Sequence, residues 1–75
     1  MPFYVNGIAS SRVSRVRIEL NAGEAVEVPT ISHSAFSVRF YVAELPLGAR
    51  PLAVVALGLG GEELERLDAS ASLDI

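Results

Sequence analysis

The chain has 75 residues, 51% of them hydrophobic and 20% charged, with a formal net charge of −3 and no cysteine. Those values describe one small domain without disulfides or thiolate metal sites, and an acidic chain lacks the basic patch that phosphate neutralisation requires. No run approaches the roughly 18 to 20 apolar residues of a membrane-spanning helix, because Arg50 and Glu62 bracket the most apolar stretch.

A chain this short buries only about 60 to 65% of the surface its unfolded form exposes, so a compact core must hold it. Its mean hydropathy is nevertheless positive. Part of the apolar surface is therefore expected to belong to a partner. The opening residues lack the basic and long apolar regions of a secretory signal. Arg12, Arg15, Arg17, Arg39 and Arg50 against Glu19, Glu24, Glu27 and Glu44 leave +1 over residues 1–50, while Arg66 against Glu62, Glu63, Glu65, Asp68 and Asp74 leaves −4 over 51–75. Solvated charges show such asymmetry as often as contacts between copies do.

Residues 3–6 read as an edge strand. Over 13–20, Val16, Ile18 and Leu20 alternate with Arg15, Arg17 and Glu19. Period-two alternation places successive side chains on opposite faces, so this is an anchor strand with one buried side. Asn21 and Gly23 supply turn chemistry, and Val26 and Val28 resume the alternation to complete a hairpin. Pro29 cannot donate to a ladder and ends that strand or marks an edge. Residues 30–34 read as connection. Over 36–42 a second anchor strand is expected, with Phe36, Val38, Phe40 and Val42 inward and Ser37, Arg39 and Tyr41 outward. Pro46 and Pro51 bracket a link. Leu52 to Leu57 is an almost continuous apolar run, which suits a strand buried on both faces.

After the glycine-rich turn 58–61, residues 62–67 are expected to return as the partner strand. A short amphipathic helix over 62–72 is the alternative, because Leu64, Leu67 and Ala71 fall at helical spacing. A shift of 38 residues lays Val16 on Val54, Gly23 on Gly61, Glu24 on Glu62, Val26 on Leu64 and Glu27 on Glu65. The second hairpin thus reads like a copy of the first, although any two hairpins share part of that pattern.

The run from Gly7 through the alternating Val13, Val16, Ile18 and Leu20, then Gly23 to Val28, Phe40-Tyr41-Val42-Ala43-Glu44-Leu45-Pro46 and Val54-Val55-Ala56-Leu57, resembles small β-sandwich modules. The modules are of immunoglobulin-like and carboxypeptidase-regulatory-like type, in actinobacterial proteins of uncharacterised role. Gly58 stands where such modules often place Asp. The resemblance implies a sandwich and brings no active residues.

Catalytic chemistry finds residue types but no motif. His33 lies between Ser32 and Ser34, yet adjacent side chains on extended backbone point apart, so a solvated or capping His is expected. Glu62, Glu63, Glu65 and Asp68 lack the spacing of a calcium loop and read as a solvated face. The 58–61 glycines lack the phosphate-loop pattern. Tyr and Arg anchor interfaces because they bury area while keeping hydrogen bonds. Tyr41 with Arg39 beside it is therefore the first interface candidate, followed by Arg15 and Arg17 and by Phe3 and Tyr4 on the edge strand.

Together these readings predict an all-β antiparallel sandwich or open barrel of five to six strands built from two hairpins, forming a single domain over 1–75 with a flexible or partner-ordered tail over 68–75. The expected function is a non-enzymatic protein-interaction module that self-associates or docks on a protein partner through a sheet edge. The alternative is a structural domain or subunit of a larger polypeptide or particle. No cofactor, metal, small-molecule ligand, nucleic acid or membrane span is expected.

Overall fold

Alternation makes the strands of this chain and turn chemistry sets where they reverse. The computed structural model describes residues 3–21 and 23–68. Seven strands follow in order: β1 (Phe3–Ala9), β2 (Arg15–Leu20), β3 (Ala25–Pro29), β4 (Ile31–Ser32), β5 (Arg39–Leu45), β6 (Pro51–Leu57) and β7 (Glu63–Asp68). They form two antiparallel sheets, one ordered β1-β5-β4 and the other β3-β2-β6-β7. Among the described residues there is no helix. The fold is thus all-β, with one strand more than expected because the connection after Pro29 contains the two-residue β4. Residues 63–68 take the strand reading. Apart from Asp68, the expected tail lies outside the described residues.

The core lies between the sheets. Val16, Ile18 and Leu20 of β2 and Val54 and Ala56 of β6 face Val5 and Ala9 of β1 and Tyr41, Ala43 and Leu45 of β5. Full burial of a side chain such as Ile18 or Val54 contributes about 1.5 to 3 kcal/mol. Residues 53–57 are buried on both faces as expected, whereas Leu52 is exposed at an irregularity in the β2–β6 register.

The 38-residue shift reappears as geometry. Ile18 pairs with Val54 and Val16 with Ala56, so each pair becomes the other under the shift. Phe3 with Leu45 and Gly7 with Tyr41 exchange in the same way across the other sheet. The order β3-β2-β6-β7 maps onto itself reversed. The two halves are therefore related by a local two-fold in strand order and central register. It is broken in the β6–β7 register by a bulge between Ala56 and Leu57.

The turns follow it too. In the first, the Leu20 amide donates to Glu24 at 2.8 Å and the Gly23 amide to Leu20 at 3.2 Å; in the second, Gly58 donates to Glu62 at 2.8 Å and Gly61 to Gly58 at 3.0 Å. Both close on a left-handed glycine, with φ of 85° at Gly23 and 86° at Gly61. Nothing crowds a β-carbon at either position, so the cost of substitution is conformational. Gly23→Ala and Gly61→Ala are each expected to lose about 1 to 2 kcal/mol, the left-handed penalty of an L-residue, measured by urea unfolding.

One expectation is reversed. On β5 the inward residues are Tyr41, Ala43 and Leu45, whereas Val42 and Phe36 are exposed and Phe40 is half-buried. The reason is Glu44, which shares the parity of Phe40 and Val42. Turning those two inward would carry a carboxylate into the core without a partner, which costs several kcal/mol. Outward, Glu44 accepts a hydrogen bond from the Tyr4 hydroxyl at 3.1 Å. A one-residue change of phase flips every side chain of a strand. Tyr41 is therefore core: it pairs with Gly7 in the strand register and is fully buried.

Candidate interaction surface

The two outer faces of the sandwich differ in kind. On the four-stranded sheet, Arg17 and Arg66 flank Val55 in the register, and Glu19 and Asp68 flank Ala53. Arg66 reaches back across β6 to Glu19 with contacts of 2.6 and 3.2 Å and also holds Glu63 at 3.1 Å. Arg17 lies 3.6 Å from Glu19, and Arg15 pairs with Glu27 at 3.1 Å. Val55 and Leu57 point outward here and are still buried. Long charged side chains with apolar stems cover such a floor while their heads stay in water. Arg15 and Arg17, interface candidates by sequence, are thus held in ion pairs on this charged face.

The Arg66 hydrogen bond holds the Glu19 carboxyl below its ordinary value, with the charges of Arg66 and Arg17 adding and partial desolvation opposing. Arg66 is correspondingly raised and stays charged. A depressed glutamate contributes stability that is fully present above its unfolded value, about 4.3, and is lost as pH falls through the lower folded value. Arg66→Gln is expected to raise the Glu19 titration midpoint, read by NMR, and to flatten the acid limb of the stability profile.

The outer face of the three-stranded sheet carries no such cover. Cross-strand pairing aligns Ile8 with Phe40 and Phe40 with Ile31 in one row, and Asn6 with Val42 in the next. Phe36 packs edge-on against Phe40 with centroids 5.6 Å apart. Ile8, Val42, Phe36 and Ile31 are 45, 53, 59 and 60% exposed. An open hollow of about 370 Å³ runs over this face between Asn6, Ile8, Phe40 and Val42. Tyr4 borders it. The hydrogen bond to Glu44, together with that residue's charge, raises the Tyr4 pKa above its ordinary value.

Of the sequence candidates, Tyr4 has its side chain on this face. Phe3 holds the first register position of β1, opposite Leu45. Tyr41 is core. Arg39, expected outward, turns to the buried Thr30 instead, with Nε donating to its hydroxyl at 2.6 Å and Nη2 to its carbonyl at 3.1 Å. The sandwich rim is where a guanidinium of inward parity finds both acceptors. Sequence reasoning missed Ile8, Ile31, Phe36 and Val42; the position of Glu44 was the signal that could have found Val42.

His33 caps its loop, with Nδ1 accepting the Ala35 amide at 3.1 Å, and its ring sits 5.5 Å from Phe36. Among the described residues no group of three or more His, Asp or Glu is placed to hold a metal, and no helix is long and apolar enough to cross a membrane. Comparison of the chain with protein-family models, curated proteins and solved structures finds no match.

Proposed function

We propose that this chain is a non-enzymatic β-sandwich module that binds protein through the outer face of its three-stranded sheet. The observation that carries this reading is the exposed row Ile8, Phe40 and Ile31 with Phe36 and Val42 beside it. Contiguous apolar patches on small soluble domains mark interaction sites, whereas scattered apolar residues need no explanation. The contrast lies within one molecule: the opposite outer face has apolar residues too, and there the ion pairs roof them over. The immunoglobulin-like resemblance adds no residue to this proposal.

The test is a dilution series of isotope-labelled protein followed by amide chemical shifts, from high to low micromolar. Concentration-dependent shifts should concentrate at residues 4–8, 31 and 36–42. Shifts confined to the charged face around Arg15, Glu27 and Arg66, or none anywhere, would count against the reading.

A further inference from the structure

Nine acids are available to six arginines in this chain. On the charged face Arg15, Arg17 and Arg66 take theirs from Glu27, Glu19 and Glu63. Arg12 and Arg39 take none among the described residues. Both line one open hollow of about 300 Å³ at the rim of the sandwich, together with Ser11, Val13, Ser14 and Leu59.

The backbone on either side of this hollow is fastened. The Val13 amide donates to the Ser10 carbonyl at 3.1 Å and closes a turn with Ser11 and Arg12 at its centre. The Ser14 amide donates to the Leu57 carbonyl at 2.8 Å, and the Ser14 carbonyl accepts from the Thr30 amide at 3.0 Å. Thr30 also holds Nε and Nη2 of Arg39, so among the described residues Nη1 of that guanidinium has no partner. The hydroxyls of Ser11 and Ser14 have none either. A guanidinium already held in place loses less freedom when it binds. Two carboxylates leave the site unfilled: Glu65 shares a second hollow with Arg12 and forms no ion pair with it, and Glu62 accepts the Gly60 amide at 3.1 Å.

We infer that this hollow binds a phosphate monoester group. Two guanidiniums match the two negative charges of the dianion, and its three terminal oxygens accept from them and from the two hydroxyls. A carboxylate brings one charge and two oxygens, which leaves one arginine unmatched. The volume is at the small end for ligand sites and suits the phosphate with a few further atoms. An extended nucleic-acid backbone needs a longer run of basic contacts than two arginines supply. The hollow shares no residue with the apolar row, so the inference goes beyond protein binding through that row and stands apart from it.

The test is a titration of the isotope-labelled full chain with inorganic phosphate, glycerol phosphate and a phosphoserine peptide, with acetate for comparison, followed by backbone amide and arginine Nε–H signals. Saturable shifts are expected at residues 11–14, 39 and 59 with each phosphate. Arg12 is exposed, so Arg12→Gln should keep its melting temperature and weaken phosphate binding about tenfold or more, the loss of one charge-assisted hydrogen bond. Arg50, also exposed, lies outside the hollow, and Arg50→Gln should leave the affinity unchanged. Equal affinity for glycerol phosphate and the peptide assigns the site to small phosphorylated molecules, whereas a peptide bound about tenfold more tightly assigns it to a phosphorylated protein segment.

Shifts that never saturate, an equal loss in Arg50→Gln, or acetate bound as tightly as phosphate would overturn the phosphate site. Each of these results would leave protein binding through the apolar face standing.

Discussion

Tyr41→Ala is expected to remove a large share of the stability of this domain. Tyr41 is fully buried and belongs to the core cluster to which both sheets contribute. Truncating a large buried aromatic costs about 3 to 5 kcal/mol, the lost transfer energy plus that of a cavity the surroundings only partly refill. A domain of this length holds about 4 to 11 kcal/mol in total. Tyr41→Phe keeps the volume and should cost only about 1 kcal/mol. Urea titration of both variants checks the pair. If Tyr41 lay on the surface as its position in 36–42 first suggests, both changes would fall within about 0.5 kcal/mol of zero.

Thr30→Val should show the second large loss, about 1 to 3 kcal/mol, with a volume change too small to explain it. Thr30 is the buried polar residue of the described core. Its hydroxyl lies 2.8 Å from the Val13 carbonyl and 3.0 Å from that of Ser14, to which it donates, and it accepts from Arg39 at 2.6 Å. Its amide donates to Ser14 at 3.0 Å. These bonds tie the start of β2 to the start of β5 and so join the two sheets at one rim. Valine fills the space and leaves both the carbonyl and the guanidinium short of a partner, and an unsatisfied buried group costs more than the bond that was made. At roughly 4 to 8 °C per kcal/mol for a domain of this size, calorimetry should register a fall of about 5 to 20 °C. A double-mutant cycle with Arg39→Met should return a coupling energy; strict additivity would mean that the rim contacts contribute nothing together.

The surface proposals depend on the same two facts. Because Tyr41 and Arg39 turn inward, Phe40 and Val42 turn outward, and the apolar row exists only for that reason. Thr30 and Arg39 fasten β5, the strand that carries this row, to the start of β2 in the other sheet. A variant that lost the rim would be expected to lose the row as well.

The strands of the four-stranded sheet, their two turns and the inward set Val16, Ile18 and Leu20 could be read from residue order. There, charge and apolarity alternate without conflict, and left-handed glycines fix the hairpins. Even the 38-residue correspondence was visible, since local propensities repeat whether or not the halves touch. The phase of β5 was not visible within 36–42, where apolar residues occupy both parities and the pattern is compatible with either face. It was decided by a charge two residues beyond that window and by Gly7 opposite Tyr41 on a distant strand. Which described strands end a sheet is likewise a property of assembly. Pairing partners far apart in the chain are chosen by burial, and an edge is whatever that choice leaves over.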